Sequence, residues 1–241
     1  MEALIVGAGD VGRWFARLWD GPVAFADADR DVATEAAAST ADARVAAMDD
    51  STRFALVCVA VPMDVATSVI EEQGSRAERA VVDCTGSMRE PLSAMADVAP
   101  GTESKSYHPL YAPDHGPGRI AASVGESGPV TDAVDEAMEA AGNELVPVDP
   151  EVHDEAMQTI QGRAHAAILA FGLASESVPE DLATPVYEDL DALRERVTDG
   201  SPAVYADIQE AFDGAADVAD AASRIAEADG ETFAALFDDA G

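Results

Sequence analysis

The chain has 241 residues, 47 of them acidic and 14 basic, for a formal net charge of −33 and a pI near 4.1. That balance leaves no basic stripe for nucleic acid, and no apolar run reaches the ~18–20 residues of a membrane span, so neither kind of partner is expected. Apolar periodicity runs through the whole sequence, which excludes disorder as the source of the charge and points to a folded protein with an acidic surface. No basic segment precedes the first apolar run, so no signal peptide is expected and the cytoplasm is the expected compartment. Cys58 and Cys84 lie inside apolar runs without metal spacing and read as small core residues.

The first stretch, Leu4-Ile5-Val6, runs into Gly7-Ala8-Gly9-Asp10-Val11-Gly12 and then into a helix-compatible segment carrying Trp14, Phe15 and Leu18. Strand, Gly-x-Gly-x-x-Gly turn and helix together form the dinucleotide fingerprint. Gly7 permits the turn, Gly9 lets a pyrophosphate approach the backbone, and Gly12 lets helix and strand pack closely. The free N–H groups of the helix start attract the phosphates. Val23–Ala26 is the next strand, and Asp27 ends it twenty residues after Gly7, where a carboxylate accepts the adenosine ribose hydroxyls. Asp27 therefore favours NAD, while Arg30 is the one nearby cation that could admit NADP.

Helix 31–39 and a short strand at 43–47 follow. The continuous apolar run Phe54–Val61 is a strand covered on both faces, stopped by Pro62; the Val61-Pro62 backbone is expected beside the nicotinamide half of the cofactor. A helix over 64–73, a strand Ala80–Asp83 and a helix to about 96 continue the alternation. Further strands lead into Tyr107-His108-Pro109 and cover 119–124 and 144–148, with a helix over 129–141 between the last two. Such alternation predicts an α/β Rossmann domain over residues 1–149 with a doubly wound, mostly parallel sheet. From 150 to 241 only helical periodicity remains, giving an all-α domain with helices at 151–174, 186–197, 202–213 and 215–239. Ala164–Leu173 is apolar nearly all round and is expected to be deeply buried, against another chain.

Residues just after parallel strands line the ligand crevice. Ser87 stands there, either to bond a ligand hydroxyl or to cap the helix after it. His108 stands there too, with an ordinary pKa suited to a general base. His165 lies one turn beyond Gln161 on the long helix. His153, beside Asp154, reads as a surface residue, and His115 as a solvated loop residue; no metal cluster is expected from these spacings.

The ordered set Gly7–Gly12, Ala60-Val61-Pro62, Asp83–Ser87, His108-Pro109, His153-Asp154, His165, and Arg196 before Ser201–Ile208 resembles the prephenate/arogenate dehydrogenases, of the 6-phosphogluconate-dehydrogenase-like superfamily. The composition is similar to that of haloarchaeal proteins, whose surfaces are relieved in strong salt. The family resemblance implies oxidative decarboxylation of prephenate or arogenate with hydride transfer to NAD(P)+, in tyrosine biosynthesis. It makes His108 the acceptor of the ring-hydroxyl proton, Ser87 the support of that histidine and hydroxyl, and His165 a second active-site histidine beside Gln161. Arg196 becomes the ligand of a substrate carboxylate, and a homodimer through the helical domain is implied. Departures are Ala164 where the family often has proline, Met88-Arg89 in place of Val-Lys, and Tyr111-Ala112-Pro113 after His-Pro. Other readings open at this point are a β-hydroxyacid or imine/pyrroline-5-carboxylate enzyme of the same two-domain class, and a non-catalytic dinucleotide sensor. Lys105, the only lysine, is not on the long helix where a β-hydroxyacid enzyme needs one.

Overall fold

Short apolar strands alternating with amphipathic helices build a sheet covered on both faces, and the computed structural model shows which edge of that sheet collects the candidate residues. The structure describes residues 1–111 and 116–241, with only the backbone of Glu180. His115 and the Ala112-Pro113 departure lie outside the described residues. The chain divides into two units, Met1–Asp154 and Glu155–Gly241.

In the first unit β1 (Ala3–Val6), β2 (Val23–Ala26), β3 (Ala43–Val45), β4 (Phe54–Val59), β5 (Ala77–Asp83), β6 (Glu103–Pro109), β7 (Arg119–Glu126) and β8 (Glu144–Pro147) form one sheet in the order β3-β2-β1-β4-β5-β6-β7-β8. Helices α1 (Asp10–Leu18), α2 (Arg30–Ser39), α3 (Met63–Gln73), α4 (Arg89–Val98) and α5 (Pro129–Ala140) connect them. β1 to β6 run parallel, β7 returns antiparallel to β6, and β8 follows β7 in parallel. One core cluster on each face of the sheet buries all of β1 and β2, nearly all of β4 and the Ala80–Asp83 half of β5, which is why these stretches read as continuous apolar runs. Cys58 and Cys84 are free and buried, as expected.

The order reverses at β1, whose neighbours are β2 and β4, and ligands bind outside the carboxyl ends of the strands at such a switch point. The register sets Ala26, Val6, Val59, Asp83 and Ser106 at one level across five strands. The glycine turn, Ala60–Pro62, Asp83–Ser87 and His108 therefore all emerge at the same edge. α6 (Pro150–Met157) begins in this unit, and Asp154 is its last residue.

The second unit is helical. A single π-helical turn, Gln158–Arg163, precedes α7 (Ala164–Ala174), followed by α8 (Pro185–Thr198), α9 (Pro202–Ala211), α10 (Gly214–Glu227) and α11 (Gly230–Asp239). Two expectations need correction here. The helix expected over 151–174 is not regular throughout. Gly162 lies against Gly214, where a side chain would collide, and its carbonyl accepts from Gln209 Nε2 at 3.1 Å; these contacts accompany the π turn. The helix expected over 215–239 is two helices, because Asp229 accepts the Thr232 N–H at 2.9 Å and starts α11 afresh. Within the single chain Ala164–Leu173 is not deeply buried: only Ala166 is, and Leu173 is 90% exposed.

Candidate active site

The glycine turn meets the requirements of a dinucleotide site. Gly7 has φ +95°, and a Cβ there would lie 2.1 Å from the Ala60 carbonyl oxygen; at Gly12 it would lie 1.9 Å from the Gly7 carbonyl oxygen. A Cβ on Gly9 would meet nothing within 4 Å, so the turn is closed on its protein side and open on the other. Asp27 Oδ2 accepts the Ala8 N–H at 2.8 Å and Oδ1 accepts that of Asp29 at 2.9 Å, which aims the carboxylate at the turn. Ala8 is buried and Asp10 is exposed on the first turn of α1, with Val11 half-buried between solvent and core. Val61 packs toward Gly7, Pro62 precedes α3, and Arg30 is exposed at the head of α2. These residues fit a dinucleotide.

At the far side of the same edge, β6 alternates its side chains. Lys105 and Tyr107 turn toward α5, where Asp135 takes Lys105 Nζ at 2.5 Å and the Tyr107 hydroxyl at 2.8 Å. Ser106 and His108 turn the other way. His108 is 7% exposed, and its Nδ1 lies 2.9 Å from Nε2 of His153, with the rings edge to face. His153 Nδ1 in turn lies 2.8 Å from Asp154 Oδ1. The two Asp154 oxygens accept the backbone N–H groups of Met88 at 2.9 Å and Arg89 at 3.1 Å.

Burial, then the neighbouring His153, pushes the His108 pKa down to about 3, so the ring is a neutral base at physiological pH. Burial works to raise the Asp154 carboxyl but is outweighed by the bonds from His153, Arg89 and Met88, which hold it below the usual range. Asp83 is fully buried, and burial lifts it to about 7 against the opposing Thr85 and Ser106 hydroxyls. The Thr85 N–H donates to Asp83 Oδ2, and the Thr85 hydroxyl oxygen lies 2.5 Å from the same atom.

Two readings are corrected. His153 is not a surface residue: it is 2% exposed, because the start of α6 packs it against the end of β6. Ser87 does not cap α4, whose first N–H groups go to Asp154 instead. Ser87 is half-buried beside them, and its carbonyl oxygen lies 3.1 Å from Thr85 Oγ1. The missed signal was the His153-Asp154 pair itself, acid and imidazole adjacent at a helix start.

The remaining candidates belong to the second unit. Gln161 lies on the π turn, and His165 on α7 stacks edge to face on Tyr205 at 4.9 Å, with burial lowering its pKa. Arg196 is exposed on α8. Among the described residues no group of three or more His, Cys, Asp or Glu side chains is arranged to hold a metal ion.

A Rossmann sheet with a dinucleotide turn and a buried neutral histidine on one edge, followed by an all-helical unit, defines a nicotinamide-dependent oxidoreductase. No protein-family profile matches the chain. It is 34% identical over 200 residues, 76% of this chain and 68% of the relative, to 4-amino-4-deoxyprephenate dehydrogenase of Streptomyces pristinaespiralis. It is 27% identical over 170 residues to a probable arogenate/prephenate dehydrogenase of Methanocaldococcus jannaschii, across 64% of this chain and 38% of that one. Among solved structures, prephenate dehydrogenase from A. aeolicus in complex with hydroxyphenyl propionate and NAD+ superposes with a TM-score of 0.68 at 16% identity, over 92% of this chain and 87% of that one. The chain belongs to the prephenate/arogenate dehydrogenase family.

Proposed function

We propose that this enzyme oxidises and decarboxylates a prephenate-type cyclohexadienol, with NAD as cofactor, in tyrosine biosynthesis. The observation that carries the reading is His108: a buried, neutral imidazole on the sheet edge that also bears the glycine turn, backed by His153 and Asp154. His108 accepts the proton of the ring hydroxyl as C4 is oxidised and the ring carboxylate leaves as CO2, and a well-placed base contributes about 10²–10⁴-fold. When bound, the nicotinamide supplies the two-electron acceptor. Gly7, Ala8, Gly9, Asp10, Val11 and Gly12 hold its pyrophosphate, Asp27 its adenosine ribose, and Val61-Pro62 flank the nicotinamide half. NAD is preferred over NADP because the Asp27 carboxylate, already aimed at the turn by two N–H groups, repels a 2′-phosphate; Arg30, at the head of α2, is a candidate counterweight.

Family membership supports assigning Ser87 to the ring hydroxyl, His165 and Gln161 to the substrate, and Arg196 to a substrate carboxylate through its planar fork. The exposed apolar face of α7 supports a homodimer through the helical unit. The net charge of −33 supports adaptation to strong salt. Two buried free thiols fit a reducing cytoplasm. No helix among the described residues is long and apolar enough to cross a membrane.

The S. pristinaespiralis relative favours one further substrate, the 4-amino analogue. NADH or NADPH absorbance in molar KCl, with prephenate, arogenate and 4-amino-4-deoxyprephenate each offered with NAD and NADP, tests the proposal. Prephenate or arogenate with NAD is expected to give the highest kcat/KM. Reduction with none of the three substrates would defeat it.

A further inference from the structure

The turn that carries Ser87 meets a carboxyl group at each end, and the two ends need opposite things. At Met88 and Arg89 two backbone N–H groups need an acceptor, and Asp154 supplies it. At Ser87 a carbonyl needs a donor, and the Thr85 hydroxyl within its reach also faces Asp83. We infer that Asp83 is a positioning residue that works as the neutral acid, donating to the Thr85 hydroxyl, which donates in turn to the Ser87 carbonyl. The inference rests on the role proposed above for Ser87 at the ring hydroxyl.

Asp83 ends β5 between Val59 of β4 and Ser106 of β6, and it is fully buried. Its Oδ2 takes the Thr85 N–H at 3.1 Å. Its Oδ1 makes no hydrogen bond, and neither does the equally buried Ser106 Oγ on the next strand. An ionised carboxylate so placed buries a charge with one oxygen unsolvated, which is costly. A protonated one leaves only a carbonyl oxygen bare. Thr85 Oγ1 lies 2.5 Å from Asp83 Oδ2 and 3.1 Å from the Ser87 oxygen, and a hydroxyl has one hydrogen. With Asp83 ionised, both neighbours only accept, and one of them goes without. With Oδ2 protonated, the acid donates to Oγ1, the hydroxyl donates to Ser87, and Oδ2 still accepts the Thr85 N–H. The surroundings favour that form. Burial first, then the Asp154 charge on α6, raise Asp83 to about 7 against the Thr85 and Ser106 hydroxyls. The other titratable groups beside it are Cys58 on β4, whose thiol burial pushes up, and Cys84, next in the chain. Asp154 stays below the usual carboxylate range, so two aspartates grip one turn in opposite charge states.

Infrared difference spectra of wild type minus Asp83→Asn, in deuterated molar KCl, test the charge state. At pH 6 they should show the C=O stretch of a protonated carboxyl, fading as pH rises with a midpoint of about 7. Kinetics test the relay. Thr85→Val removes the hydroxyl and should lower kcat/KM for the ring substrate about 2–10-fold, the worth of one hydrogen bond, with NAD affinity unchanged. Thr85→Ser keeps the hydroxyl and should restore it. Wild-type kcat/KM should fall by a similar factor above pH 7, as ionised Asp83 draws the hydroxyl hydrogen to itself, and Thr85→Val should lack that decline. Absence of the acid band at pH 6, wild-type kcat/KM in folded Thr85→Val, or an alkaline decline that persists in it overturns the inference. The wild-type band can also be read against the wild-type spectrum at pH 9, so the test survives a variant that does not fold. A chain that shows the band but oxidises no prephenate-type substrate fails the functional proposal alone.

Discussion

His108, at the end of β6, and His153, at the head of α6, bring their ring nitrogens to 2.9 Å in a buried edge-to-face pair, although 45 residues separate them in sequence. Two imidazoles so placed do not both carry charge without strong repulsion, and burial already holds the first one neutral.

This has a consequence for stability against pH. His108 titrates near 6.5 when unfolded and at about 3 in the fold, so between those values the unfolded chain binds more protons and acid favours unfolding. Its contribution is complete above about 6.5 and is lost as pH falls toward 3. Asp83 acts in the opposite sense: raised from 3.8 to about 7, it binds its proton more tightly in the fold, and its contribution is lost as pH rises through that window. In thermal melts at constant KCl, the Tm of wild type relative to His108→Asn should decline from pH 7 to pH 4. Relative to Asp83→Asn it should decline from pH 4 to pH 7.

The glycine turn separates packing from binding. Gly12→Ala sets a methyl against the Gly7 carbonyl at 1.9 Å and should cost about 1–3 kcal/mol, as overpacking does. Gly9→Ala meets no protein atom within 4 Å and should melt like wild type. Its methyl stands where the pyrophosphate must approach, so calorimetric titration should show NAD affinity weakened by about tenfold or more, or at least ~1.4 kcal/mol.

Asp27 has two tasks. Asp27→Ala deprives the Ala8 and Asp29 N–H groups of their acceptor, a loss of about 0.5–1.5 kcal/mol per bond. It also removes the charge that disfavours a 2′-phosphate, so the ratio of kcat/KM for NAD over NADP should fall. An unchanged ratio would show that Asp27 does not select the cofactor.

A net charge of −33 repels itself across the surface. Raising KCl from 0.1 M to 1 M shortens the screening length from ~10 Å to ~3 Å, so Tm should rise across that range. A flat Tm would mean that the acidic surface is already neutralised by bound counterions.

Much of the first unit was legible because its strands are buried on both faces and bounded by glycine, proline or aspartate, as at Leu4–Gly7 and Phe54–Pro62. Strand direction was not: the apolar pattern of β7 reads the same in either sense, and only its pairing with β6 reveals the reversal. His153 was misread because its chain neighbours Glu151, Asp154 and Glu155 are acidic, while its burial comes from the distant end of β6. The π turn is accompanied by Gly214 meeting Gly162, a contact that helical periodicity does not encode. Ala164–Leu173 reads as core because composition reports the need for a cover without saying whether the same chain supplies it.

The most direct measurement compares wild type with His108→Asn in molar KCl, following prephenate-dependent NADH formation alongside NAD binding by calorimetry. The account predicts robust NADH formation by wild type, and turnover lower by about 10²–10⁴-fold in the variant at equal NAD affinity. Near-equal turnover in the two proteins would remove His108 from the chemistry and contradict the account.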